Sequence, residues 1–217
     1  MRRVLLLVHR VPVDGAFTLN DLAGTGGRLD EVASVVAATF LVSNGLRRDC
    51  ELTLLLSQDP ARARKVRMEG RRLKFLNPDE RSTAALLKNA LVRSWTRPTD
   101  EMETTPGIFV GPCRPEEDLK AFLGRPGTFW ATESGEPLRA ASLEPGETGF
   151  VLSDPWDPTD QERGLLEASG VPRIAVGPRS LRSSQCVVLF QNELDLREAA
   201  QKASGPSAAG ASTPLGG

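Results

Sequence analysis

Residues 149–154 read GFVLSD, 159–169 TDQERGLLEAS, 173–178 RIAVGP and 180–197 SLRSSQCVVLFQNELDLR. Twice a short apolar run ends in a turn containing Gly, Ser, Asp or Pro, and twice a helical pattern follows. The stretch predicts strand–helix–strand–helix, the signature of an α/β chain. Ligands of open parallel sheets sit beyond the carboxyl ends of the strands. The turns after Val151-Leu152 and after Ala175-Val176 are therefore the expected walls of one pocket, although the pattern by itself names no ligand.

Working outward, residues 3–9 are a buried-strand candidate whose five apolar residues are continuous rather than alternating, as in the middle of a parallel sheet. His9, the only histidine, stands at its end, where it can serve structure or mechanism. A Gly-rich loop, residues 18–27, follows; its GTGGR lacks the spacing and the Lys-Ser/Thr of a phosphate-binding P-loop. Residues 29–42 carry a helical apolar face stopped by Asn44-Gly45, and residues 50–56 make a second buried strand. Together these predict a β–α–β unit with a right-handed crossover.

The densest basic run holds Arg62, Arg64, Lys65, Arg67, Arg71, Arg72 and Lys74, with a hairpin expected at Glu69-Gly70. It reads either as a solvated sheet edge or as a phosphate-binding ridge. In the string NPDERST, Asn77 or Asp79 can cap a helix whose apolar face spans residues 84–92. Farther on, residues 97–106 read as a loop, 108–110 as a strand, 115–123 as a short helix and 128–132 as a strand. Ser134-Gly135-Glu136 looks like a hairpin turn into residues 137–141. Trp130 and Trp156 fit either a buried core or a platform for a base. From Ala199 the composition turns to Ala, Ser, Gly and Pro, a disordered tail by composition, which leaves residues 1–198 as one domain.

The 217 residues carry 27 basic and 28 acidic side chains, so a nucleic-acid partner needs a local basic patch. Cys50, Cys113 and Cys186 are dispersed and odd in number, which supports neither a disulfide framework nor a zinc site. The apolar run after Arg2-Arg3 is too short for a secretory signal core or a membrane span. A reducing, cytoplasmic setting follows as the expectation.

The string LNPDERSTAALL, the residues Gly27-Arg28-Leu29-Asp30 before the first helix, the FVLSD turn and the ending VGP…SQCVVLFQNELD resemble the archaeal tRNA (pseudouridine-N1)-methyltransferases of the SPOUT superfamily. The match keeps its order from about Val4 to Asp195, and LNPDERSTAAL is its most specific piece. The resemblance implies an α/β fold with a mostly parallel sheet flanked by helices and a C-terminal deep trefoil knot. It also implies a homodimer paired through the knot region, S-adenosyl-L-methionine as cofactor and the TΨC arm of tRNA as substrate. Carried over by position, Leu152, Gly177, Leu181, Ser184 and Cys186 line the cofactor pocket.

Apolar walls and close backbone suit adenine at these positions. Cys186 reads as a wall, since no base stands by to make it a nucleophile. Methylating N1 of pseudouridine requires loss of its hydrogen. Asp30 is the candidate proton acceptor or positioning group, with a first-turn helix acid as the bland alternative. Arg28 and Arg81 are candidates for substrate phosphate or a developing negative oxygen, and Arg71 and Arg72 for the RNA backbone. The chain departs from the family pattern at Gln191-Asn192, where a His-Asn pair is expected, and at Pro155-Trp156. A knotted binding protein that does not transfer the methyl group, or one acting on another RNA position, is the alternative reading.

Overall fold

The computed structural model describes residues 1–97 and 99–204. One eight-stranded sheet is built from β1 (Arg2–Val8), β4 (Cys50–Leu56), β5 (Arg64–Glu69), β6 (Met102–Thr105), β7 (Ile108–Pro112), β8 (Thr128–Pro137), β9 (Gly149–Ser153) and β10 (Arg173–Ala175). The order across it is β10-β8-β9-β1-β4-β5-β7-β6. The five strands from β10 to β4 pair in parallel, and β5, β7 and β6 continue the sheet antiparallel. A two-residue pair, β2 (Leu41–Val42) and β3 (Gly45–Leu46), turns at Ser43-Asn44.

Because β1 is buried on both faces, its side chains divide between two cores with the period of a strand. Val4, Leu6 and Val8 join the side that packs α1 (Leu29–Phe40), α2 (Glu80–Trp95) and α5 (Ser183–Ser204). Leu5 and Leu7 join the side that packs α3 (Pro115–Leu123) and α4 (Asp160–Ala168). The result is a three-layer α/β arrangement whose mostly parallel sheet flanked by helices is the one the resemblance implied.

Helix starts follow local chemistry. Asp79 caps α2 by accepting from the Ser82 N–H at 2.7 Å. Thr159 and Glu162 form a reciprocal capping box on α4. Between β8 and β9 the chain must return along the sheet, since the two strands are parallel. On that return the carbonyls of Leu138, Arg139, Ala141 and Leu143 accept hydrogen bonds from the Arg197 guanidinium of α5.

Five sequence expectations are corrected. No hairpin forms at Glu69-Gly70: β5 pairs with β4 and β7, and residues 71–79 form no strand. Gly70 instead permits a backbone crossing, since a Cβ there would lie 2.2 Å from the Arg47 carbonyl. No hairpin forms at Ser134–Glu136 either. Strand β8 runs through to Pro137, and Gly135 marks where β10 crosses, with a virtual Cβ 2.3 Å from the Ile174 nitrogen. Residues 102–105, expected in a loop, pair with β7; Pro98 in that stretch lies outside the described residues. Helix α1 stops at Phe40, and Leu41–Val42 becomes β2. Helix α5 continues through Ser204, because Ala, Gln and Lys favour helix, so residues 199–204 of the expected tail are helical. Residues 205–217 lie outside the described residues.

Candidate cofactor pocket

A cavity of about 460 Å³ opens over Trp130–Glu133 of β8 and at the carboxyl ends of β9 and β10, within the range of about 300–1,000 Å³ usual for small-molecule sites. Both expected turns line it: Leu152 and Ser153 after β9, Val176 and Gly177 after β10. The third wall is the loop into α5, where the Ser180 hydroxyl bonds Glu133 at 2.7 Å and the Ser183 hydroxyl donates to the Ser153 carbonyl. These two bonds close the loop across the mouths of β8 and β9.

Apolar lining comes from Leu6, Val32, Leu152, Val176, Leu181 and Cys186. A Cβ built on Gly177 would meet nothing nearer than the Leu181 side chain at 4.0 Å, so the protein leaves this backbone open for close approach. Burial pushes the Cys186 thiol up to about 11, which keeps it protonated and part of the wall. The Ser180 hydroxyl holds the Glu133 carboxyl below its ordinary value, so an anion stands at one side of the cavity. Arg28, Arg163, Arg179 and Arg182 supply positive charge around it.

Of the residues predicted for the cofactor, Leu152, Gly177, Leu181 and Cys186 line one cavity, whereas Ser184 lies just outside its lining, on the first turn of α5. Arg28 also lines it, in a left-handed conformation with φ 66°. Its Nε and Nη2 donate to the two oxygens of Asp30 at 3.1 Å each, and Nη2 also reaches Glu31 at 2.7 Å. Asp30 stands behind this guanidinium, outside the lining. Arg81 bonds the Leu19 carbonyl and Asn20 and ties α2 to the Gly-rich loop. Arg71 and Arg72 are exposed beyond β5, away from the cavity, and Arg72 pairs with Glu103. Gly27 serves packing, with a virtual Cβ 1.9 Å from the Arg10 carbonyl.

Sequence reading missed Glu31, Glu133, Arg163 and Ser183, which only the fold gathers here. Trp156 lines the cavity with the Arg10 guanidinium 4.1 Å from its ring centre. Behind it, His9 Nδ1 lies 2.8 Å from Asp154 and Nε2 2.9 Å from Glu162. Glu162 thus serves both the capping box of α4 and His9, a double use that sequence reading missed. Gln191, where the family pattern has histidine, is buried: its Oε1 accepts from Arg2 at 2.8 Å and its Nε2 reaches the Cys50 sulfur. That position is a strut of α5 and no part of the cavity lining.

Residues 1–199 match a family described as "Putative SAM-dependent RNA methyltransferase". A protein of Methanosarcina acetivorans named tRNA (pseudouridine(54)-N(1))-methyltransferase is 37% identical over 199 residues, covering 92% of this chain and 93% of its own. Proteins of the same name from Methanocella arvoryzae and Haloferax volcanii are 37% and 35% identical; the matches cover 91% and 90% of this chain, and 100% and 96% of theirs. Among solved structures, Archaeoglobus fulgidus Nep1 bound to S-adenosylhomocysteine superposes with a TM-score of 0.59 at 12% identity, over 91% of this chain and 98% of that one. That likeness concerns the fold. The family match over residues 1–199 and identity across nearly the whole length place this chain in the family of SAM-dependent RNA methyltransferases that includes the archaeal tRNA (pseudouridine(54)-N(1))-methyltransferases.

Proposed function

We propose that this protein transfers a methyl group from S-adenosylmethionine to N1 of pseudouridine in the TΨC arm of tRNA, acting in the cytoplasm. The observation that carries the reading is the cavity closed by the Leu152, Gly177 and Leu181 turns, on a chain 37% identical to a protein named for that reaction. The residues fit the cofactor. Leu152, Leu181 and Cys186 offer an apolar slot, Gly177 an open backbone and Glu133 an anion to face a sulfonium, with Ser184 at the edge. Bound S-adenosylmethionine supplies an electrophilic methyl group.

The protein's part is orientation and the proton. Arg28 and Arg81 hold RNA phosphate or the developing negative oxygen, and Arg71 and Arg72 extend the RNA contact past the end of β5. Asp30, aligned by the Arg28 fork, takes the N1 proton or orients the base as the N–CH₃ bond forms.

Residues 1–198 act as one domain, with α5 threaded through the loop closed by residues 138–148. The Arg197 bonds to that loop's carbonyls support the threading; a crystal structure with α5 outside the loop overturns it. Val188, Leu189 and Leu196 leave apolar surface exposed on α5, which supports pairing of two copies there. Light scattering reads that stoichiometry. No helix among the described residues is long and apolar enough to cross a membrane.

Calorimetric titration with S-adenosylhomocysteine tests the cofactor reading, and absence of binding removes it. Methyl transfer to tRNA carrying pseudouridine in the TΨC arm, and none to the same tRNA with uridine there, tests the substrate.

A further inference from the structure

The Ser153–Pro158 wall of the cavity, which includes Asp154, is held from behind by His9, a residue outside the lining. Asp154 continues the ladder of β9 by donating its N–H to the Leu7 carbonyl at 2.9 Å. Its carboxylate accepts from the His9 N–H at 2.7 Å, from His9 Nδ1 at 2.8 Å and from the Trp156 N–H at 3.2 Å. Trp156 is thus fixed at its nitrogen by Asp154, and its carbonyl accepts from the Ser153 hydroxyl. On the other side of the imidazole, Glu162 accepts from Nε2 at 2.9 Å while closing the cap of α4 through the Thr159 N–H and hydroxyl. The ring is nearly buried, 12% exposed, between carboxylates that are 1% and 10% exposed.

Ionised carboxylates only accept hydrogen bonds, so both ring nitrogens must donate. A neutral ring would turn a lone pair toward one of two buried anions. The charged groups set against His9 are Asp154 from the turn after β9 and Glu162 from α4; Arg10, beside it in sequence, lies over Trp156.

We propose that His9 is a positioning residue for the pocket: its two ring N–H groups clamp β1 between Asp154 and Glu162 and so set the Trp156 wall in its ligand-binding shape. The proposal rests on the cofactor reading above for its ligand, and its own geometry is independent of it. Burial alone lowers the affinity of the ring for its proton, but the two carboxylates outweigh that and raise its pKa to about 9. The clamp therefore opens from one side only in alkaline solution.

Two measurements on the full-length protein test this. His9 is the only histidine, so its ring signals in an NMR titration are unambiguous, as are those of the Trp156 indole once assigned with Trp156→Phe. Both are expected to move together with a midpoint near pH 9. A His9 midpoint near the ordinary 6.5, or a Trp156 signal indifferent to it, overturns the proposal. Second, calorimetry with S-adenosylhomocysteine is expected to give a Kd roughly tenfold weaker above that midpoint, the scale of one lost charge-assisted hydrogen bond. In His9→Gln, which keeps one amide donor, binding is expected to be weak already at neutral pH and flat through alkaline pH. If His9→Gln follows the same pH curve as the native protein, the clamp does not set the pocket. If the ligand binds at no pH while His9 and Trp156 still titrate together, the cofactor reading fails and the clamp stands.

Discussion

Phe190 of α5 lies flat against Phe150 of β9, with ring centres 3.7 Å apart and planes 3° from parallel. Both rings are almost wholly buried, so this stack fastens the last helix to the strand that feeds the pocket turn. Phe190→Ala is expected to cost about 3–5 kcal/mol of stability through the lost transfer energy and the cavity left behind. Urea unfolding reads it as a lower midpoint at unchanged slope. A loss well under 1 kcal/mol would mean that α5 is not anchored there.

Gly177 has ordinary φ and open space in place of a side chain. Gly177→Val should therefore fold normally and intrude only on a ligand. The expected result is an unchanged melting temperature with binding of S-adenosylhomocysteine weakened by about tenfold or more, roughly 1.4 kcal/mol. Retained affinity would remove Gly177 from the pocket floor.

Asp30 is bonded through both oxygens to Arg28. If it serves the N1 proton, Asp30→Ala should lower kcat by about 10²–10⁴, the usual scale of general-base loss, while cofactor affinity holds. An unchanged single-turnover rate would return it to the first turn of α1 as a helix acid.

Along the basic run, Lys65 pairs with Asp118, Arg67 with Glu69 and Glu101, and Arg72 with Glu103. Arg71 and Lys74 are exposed and have no carboxylate partner within reach among the described residues. Arg71→Glu should reduce the slope of log Kd for tRNA against log salt by about 1 or more, with a smaller change for Arg72→Glu because Glu103 already faces it. Equal slopes in all three proteins would make this edge solvated only.

Proton linkage at His9 has a definite sign. The folded pKa, about 9, stands above the ordinary 6.5. Its contribution to stability is therefore complete below about 6.5 and is lost as pH rises through about 9. Melting temperatures of the native protein should fall across that window more steeply than those of His9→Gln. Parallel curves would show that the ring carries no such linkage.

The strand–helix–strand–helix ending, the β1–α1–β4 unit and the α2 cap were legible because each depends on local pattern. Continuous Leu/Val runs mark buried parallel strands, and Asp79 stands at the helix start it caps. The failures were non-local. Gly70 and Gly135 look like turn residues, but each is glycine because another stretch of backbone passes within van der Waals reach. Leu152, Gly177, Leu181 and Cys186 were named from family resemblance and meet around one cavity. Glu133 and Arg163 were silent, since nothing in their neighbours says that the middle of β8 and the first turn of α4 face the same cavity. His9 was visible as a strand-end histidine, but its two carboxylate partners are 145 and 153 residues away.

Arg2 reaches across to Asp195 at 2.7 Å and Glu198 at 2.9 Å. The start of the chain and the Asp195–Glu198 turn of α5 thus meet at the amino ends of the strands, and the seven residues of β1 put roughly 20 Å between that seam and the pocket. A dye, purification handle or surface tether attached at the amino terminus will project from the pole that faces away from the pocket. Single-molecule or immobilised binding measurements can therefore be made without obstructing the ligand's approach.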